Sequence, residues 1–188
     1  MKILLTGSGG FTGTFLKNFL TKEKAEIFTI GTKKFPNKRH FKISQNFSIE
    51  EIKKVILDIC PDYIFHLAGS PMGNSENFLE DLNFKFAKNI ILSSKDLDKE
   101  VRIILLGSAA EYGIVKPNDL PIKETLKPIP YNAYGKTKLK QTEFALENHT
   151  SNCKILILRP FNLFGPGMPD FLALGNFANQ INEFKKNS

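Results

Sequence analysis

Residues 2–13 read KILLTGSGGFTG, an apolar run that enters a glycine-rich turn. Ile3, Leu4 and Leu5 are consecutive rather than alternating, the pattern of a strand buried on both faces. Gly7, Gly10 and Gly13 stand where that strand has to turn into a helix, and Phe11, Phe15, Leu16, Phe19 and Leu20 then share one helical face. A helix that starts here offers unpaired N–H groups and the positive end of its dipole, and the glycines let a pyrophosphate approach the backbone. Dinucleotide binding is therefore expected at Gly7, Gly10, Phe11, Thr12 and Gly13.

Outward from this turn, short apolar runs alternate with amphipathic ones. Strands are expected at 26–30, weakly at 40–43, at 63–67 (YIFHL), at 101–106 (VRIILL) and at 154–158 (KILIL). Between them, Ser48-Ile49-Glu50-Glu51 has the form of a capping box ahead of a helix that Pro61 ends. Longer helices fit 76–96 and 134–147. Six strands alternating with helices predict an α/β fold, a doubly wound parallel sheet of the Rossmann type. The Phe-rich positions (Phe11, Phe15, Phe19, Phe84, Phe86) have helical spacing and are read as core.

Composition fits this. The chain has 188 residues, 41% of them apolar, with no run long enough to span a membrane and no secretory leader. Cys60 and Cys153 cannot build a disulfide framework and have no metal-ligand spacing, so a cytoplasmic location and no metal site are expected. The net charge of +7 comes from scattered lysines rather than a massed block. It favours a phosphorylated small molecule over a nucleic-acid partner.

The cofactor type turns on the end of the second strand. A carboxylate there would hold a ribose 2′-hydroxyl; this chain has Thr32, Lys33 and Lys34, which suit a 2′-phosphate and favour NADP(H) over NAD(H). Tyr134 and Lys138 lie four apart on a helix, on one face, where an ammonium can stabilise a phenolate and bring proton transfer nearer neutral pH. Ser108 ends the fifth strand, where ligand sites gather in open α/β sheets. His66, a lone strand histidine, is read as packed, near the cofactor groove. Arg159 is either a substrate contact or an ion-pair partner.

With these residues the chain resembles the extended short-chain dehydrogenase/reductase family of sugar-nucleotide epimerases, dehydratases and reductases. The likeness covers T-G-x-x-G-F-T-G at 6–13, H-L-A-G at 66–69, G-S-A-A-E-Y-G at 107–113, Y-G-K-T-K at 134–138 and R-P-F-N-L-F-G-P-G at 159–167. It implies a catalytic Ser108–Tyr134–Lys138 set. Tyr134 would exchange the proton of the sugar oxygen, Lys138 would lower the tyrosine's pKa and hold the nicotinamide ribose, and Ser108 would orient the reacting oxygen. The cofactor would also contact Leu67, Ala68, Gly69 and Asn83, and a nucleotide-sugar substrate would contact Ser108, Ala109 and Asn162. Dehydratases of the family carry an Asp-Glu pair where this chain has Ala109 and Ala110, and Glu111 is expected to point elsewhere. Dehydration is thus disfavoured. The 107–113 and 159–167 segments are most similar to the 4-keto-6-deoxy-sugar-nucleotide reductases, the GDP-4-keto-6-deoxymannose reductases among them. An epimerase with bound NAD, or a non-catalytic cofactor-binding module, are the alternatives.

Members of that family carry a further C-terminal substrate lobe. The expected division here is a cofactor domain over 1–164 and the start of that lobe over 165–188, with a helix at 176–185 and the rest of the lobe absent. Weak activity in isolation is expected. A homodimer through the helices at 76–96 and 134–147 is the expected assembly.

Overall fold

The structure, a computed structural model, describes residues 1–186. Six strands form one parallel sheet: β1 (Lys2–Thr6), β2 (Glu26–Gly31), β3 (His40–Lys42), β4 (Tyr63–His66), β5 (Val101–Leu106) and β6 (Cys153–Leu158). Their order is β3-β2-β1-β4-β5-β6, so the chain reverses direction across the sheet between β1 and β4. Ligands bind at the carboxyl ends of strands at such a switch point. The register sets Thr6 opposite both Ile30 and His66.

Side chains alternate between two cores. Leu4 joins Ile30, Ile64, Ile103 and Leu105 against α2 (Ile49–Ile59) and a long helix beginning at Glu76. Ile56 and Ile90 are fully buried there, each worth roughly 1.5–3 kcal/mol of burial. Ile3 and Leu5 face the other way, onto Leu20 of α1 (Phe11–Lys22). That second layer is thin: on β6, Leu156 and Leu158 remain 58% and 44% exposed.

Two expectations need correction. Phe15 and Phe19 are not core but 50% and 59% exposed. The stripe of α1 facing the sheet is Gly13, Leu16 and Leu20, because a Cβ at Gly13 would lie 2.1 Å from the Gly7 carbonyl oxygen. That contact fixes the helix rotation, and the two phenylalanines lie off it. The capping box at α2 is also only half formed. Ser48 Oγ accepts from the Glu51 N–H, but the Glu51 carboxylate turns back to the Ser44 N–H and hydroxyl.

The helix expected over 76–96 is continuous from Glu76 to Ser94 but changes pitch: α3 (Glu76–Glu80), a π-helical turn (Asp81–Lys85), then α4 (Phe86–Ser94). The last two helices are α5 (Ala133–Glu147) and α6 (Ala173–Lys186). Among the described residues no helix is long and apolar enough to cross a membrane.

Candidate functional site

The switch point is closed by a threonine. Thr6 Oγ1 accepts hydrogen bonds from the Leu67 and Ala68 N–H groups at 3.1 and 3.0 Å, and pairs with His66 Nδ1 at 3.1 Å. With both backbone donors directed at its oxygen, the threonine proton goes to Nδ1, and the imidazole carries its own proton on Nε2. That nitrogen finds no hydrogen-bond partner among the described residues. Burial, and then the charge of Lys138, push His66 down to about 3, so the ring is neutral. It packs edge-on against Phe86 and faces neither groove described below.

Gly7 leads into the turn at a φ of +63°, a conformation that a side chain disfavours, and a Cβ there would press on the Ala68 backbone. The turn then delivers Gly10 as the N-cap of α1. No side chain caps this helix and no acidic residue stands in its first turn. Its free N–H groups and dipole are open to an anion.

Two grooves share this turn. One, of about 510 Å³, runs towards the ends of β2 and β3 and is walled by Thr32, Lys33, Phe35 and His40. The other, of about 780 Å³, runs to Ser108, Tyr134, Asn162 and the start of α6 at Ala173 and Leu174. Gly7, Gly10, Leu67 and Gly69 line both, so the two are ends of one trough. Ala68 faces the first, and Phe11, Thr12 and Gly13 face the second.

At the second end, Ser108 caps a short 3₁₀ turn (Ala109–Glu111), its Oγ accepting from the Ala110 N–H at 3.1 Å. The hydroxyl proton is thereby left to donate. Glu111 turns inward, fully buried. Its Oε1 accepts from the Ser108 N–H at 2.9 Å, and its Oε2 accepts from Arg159 Nε at 2.7 Å. Arg159 also donates to the Tyr112 hydroxyl and lies over that ring. Arg159 is thus the ion-pair partner of Glu111.

Tyr134 stands at the start of α5, which Asn132 caps through the Gly135 N–H. Burial pushes the phenol up, the Ser108 hydroxyl draws it down, and the Glu111 charge adds to the rise. The net direction is upward, opposite to the expected lowering. Burial is the main cause, and Lys138 is engaged elsewhere. Its ammonium, 2% exposed, donates to Gln141 Oε1 at 2.8 Å and lies under Gly69, where an added Cβ would be 3.7 Å from it. Burial pushes Lys138 down to about 8 and Glu111 partly opposes this.

Four expected site residues line neither groove, the buried Lys138 among them. Lys34 is exposed and lines neither groove, and Ala109 is half-buried in the turn behind Ser108. Asn83 is fully buried in the π-helical turn. Its Oδ1 accepts from the Ser70 N–H, and its Nδ2 donates to the Ser70 carbonyl and to Thr137 Oγ1. It fastens the 67–70 loop to α5. Sequence reading missed Gln141, although its i+3 spacing from Lys138 places both on one face. Among the described residues no group of three His, Cys, Asp or Glu side chains gathers as a metal-ligand set.

A family model described as the NAD dependent epimerase/dehydratase family matches residues 3–187. The chain belongs to this family. The GDP-6-deoxy-D-mannose reductase of Pseudomonas aeruginosa is 26% identical over an aligned length of 191 positions that covers 98% of this chain and 60% of that protein. A solved UDP-glucuronic acid 4-epimerase from Bacillus cereus in complex with NAD is 27% identical, with a TM-score of 0.77 and coverage of 97% and 64%. RMD from Pseudomonas aeruginosa complexed with NADPH shares the fold at a TM-score of 0.82, with 24% identity and coverage of 99% and 61%. This chain thus spans about three fifths of the length of the relatives it matches.

Proposed function

We propose that this chain is the cofactor-binding and catalytic part of an NADP(H)-dependent reductase of nucleotide-linked keto sugars, a 4-keto-6-deoxy sugar nucleotide being the favoured substrate. The observation that carries this reading is the meeting of Ser108 and Tyr134, with Lys138 buried behind them, at one end of a trough whose middle is an uncapped helix N-terminus. The residues fit a dinucleotide. The pyrophosphate belongs over Gly10–Gly13, where no Cβ intervenes at Gly10 or Gly13. Thr32 and Lys33 would hold a 2′-phosphate at the far groove, and Lys138 and Gly69 would meet the nicotinamide ribose. Bound NADPH would supply the hydride for the carbonyl carbon.

The chain's own part is the proton. A phenol pushed upward by burial starts in its protonated form, which is what reduction requires, because Tyr134 must give a proton to the oxygen as the carbonyl carbon is reduced. Ser108 donates its free hydroxyl proton to the same oxygen and fixes it beside Tyr134. Asn162, with the apolar wall at Phe171 and Leu174, faces the remainder of the substrate.

Likeness to an NAD-bound 4-epimerase supports a second reading, in which the cofactor stays bound and a sugar hydroxyl is first oxidised. That cycle would begin with a phenolate, which the burial of Tyr134 works against. A homodimer through the outer faces of Glu76–Ser94 and α5 completes the proposal. Phe78 and Leu146, 46% and 63% exposed, are the apolar residues that such a contact would cover.

The test is a parallel fluorescence titration with NADPH and NADH, followed by turnover with nucleotide 4-keto sugars for wild type and Tyr134→Phe. Tighter NADPH binding with a loss of roughly 10²–10⁴-fold in turnover for the variant is expected. Equal turnover of the two proteins, or binding of neither cofactor, would reject the proposal.

A further inference from the structure

Gln141 is the residue that the proposed chemistry does not use and the structure does not leave idle. It lies one turn after Lys138 on α5 and is 1% exposed. Its Oε1 accepts from the Lys138 ammonium at 2.8 Å, and its Nε2 donates to the Leu106 carbonyl at 3.4 Å. Leu106 ends β5, two positions before Ser108. A side-chain amide is the neutral group that presents an acceptor and a donor together, and a buried amide has to satisfy both. The bridge therefore ties the ammonium to the strand end that carries the serine.

The groups facing Lys138 come from several elements. Tyr134 and Gln141 share its helix. His66 at the end of β4 is buried and neutral. Glu111, after β5, is the carboxylate that acts on Lys138, and Arg159 from the segment after β6 holds it at 2.7 Å. The Gly69 backbone approaches from the 67–70 loop, and Asn83 from the π-helical turn. In this setting a carboxylate at position 141 would hold the ammonium equally well but would neutralise it. An amide holds it and leaves the charge intact. Gln141 also takes one of three ammonium donors, leaving the others for a ligand.

We propose that Gln141 is the positioning residue of the site: its amide clamps the Lys138 ammonium to the end of β5 and adds no counter-charge, so that the charge is kept for the cofactor ribose. The proposal rests on the cofactor reading given above for what the charge serves, and on the two hydrogen bonds alone for the clamp.

The experiment follows Lys138 directly. Lysine carrying ¹³C at Cε is incorporated into the protein, the Lys138 signal is identified by its loss in Lys138→Arg, and its shift is followed against pH in wild type, Gln141→Leu and Gln141→Glu. NADPH affinity is measured across the same pH range by nicotinamide fluorescence. Leucine removes the acceptor, so the ammonium is expected to deprotonate about one pH unit earlier, and NADPH binding to weaken by about twofold near pH 7 and about tenfold by pH 9, and to recover on acidification. Glutamate supplies a counter-charge in the same shape, so the titration moves the opposite way by about one pH unit or more, and the binding limb follows it upward. A residue that merely filled space would not give shifts of opposite sign. Lys138 titrating as in wild type in both variants would overturn the proposal, and the near-isosteric glutamate keeps that comparison available should leucine disturb folding. If wild type binds neither NADPH nor NADH, the cofactor reading falls, while opposite shifts of the Lys138 signal still support the clamp and their absence still overturns it.

Discussion

Replacing Glu111 with alanine removes the acceptor of two groups at once, the Ser108 N–H and the Arg159 guanidinium. Removing one partner of a buried ion pair costs about 3–5 kcal/mol, because the other is left charged and uncompensated. The two partners differ in their access to water: the Arg159 side chain is 19% exposed and that of Glu111 is 0%. Arginine can recover part of its hydration when left alone, which puts Glu111→Ala near the lower end, at about 3 kcal/mol. Arg159→Ala strands a carboxylate that cannot reach water, which puts it near the upper end, at about 5 kcal/mol. Glu111→Gln keeps one oxygen for the Ser108 N–H but turns its NH2 towards Arg159, so that it loses the charge and one acceptor, for a cost of about 1.5–3 kcal/mol. Urea unfolding of the four proteins, with slopes compared to confirm that the same surface is exposed, measures the series. Arg159→Ala milder than Glu111→Ala, or both alanine variants within about 1 kcal/mol of wild type, would refute the reasoning.

Three further outcomes are expected. His66 is held near 3 when folded against an ordinary value of 6.5, so the unfolded chain takes up a proton first as pH falls; wild type should lose roughly 3–5 kcal/mol between pH 6.5 and 3 through this residue, and calorimetry of His66→Gln should show a shallower acid limb. Lys138 behaves in the opposite sense. Its folded value of about 8 lies below 10.5, so the buried charge destabilises the protein below pH 8 and the penalty fades as pH rises towards 10.5. Lys138→Met should therefore unfold at higher temperature than wild type near neutral pH, by roughly 2–3 kcal/mol, with the two converging in alkali; a less stable variant at neutral pH would contradict this. Lys33→Ala should weaken NADPH binding about tenfold and leave NADH unchanged, whereas Lys34→Ala, off the groove, should alter neither by more than about twofold.

The strands and the glycine turn were legible because their causes are local. Ile3-Leu4-Leu5 and Val101-Arg102-Ile103-Ile104-Leu105-Leu106 are apolar without alternation, and a Gly7 at positive φ leaves few ways to leave β1. The gathering of Ser108 and Tyr134 at one cleft was legible from motif order. What was not legible depends on rotation and reach. The face of α1 is chosen by a backbone contact between Gly13 and Gly7, which no hydrophobic count contains, and so Phe15 and Phe19 were misplaced. The π-helical turn at Asp81–Lys85 leaves the apolar spacing on either side nearly unchanged, so Asn83 looked like a surface or ligand-facing residue. Gln141 in the middle of a lysine-rich helix reads as solvent-facing until the strand beneath it is in place. The rise in the Tyr134 pKa likewise depends on how deeply the phenol is buried, and sequence spacing, which places it on one face with Lys138, does not fix that.

The order β3-β2-β1-β4-β5-β6 has a consequence for how such a molecule can change over time. The residues proposed to meet the adenosine end of a dinucleotide hang from β2 and β3 on one flank, and those proposed to move the proton hang from β5, α5 and the segment after β6 on the other. Only the backbone around Gly7, Gly10, Leu67 and Gly69 belongs to both. Substitutions that exchange one cofactor for another can therefore accumulate at 32–40 without moving Ser108 or Tyr134. The proton-transfer flank can in turn be retuned for a new sugar without relearning how to hold a nucleotide. Inheritance can treat the two flanks as separate traits, joined at a hinge of glycines that selection has little freedom to alter.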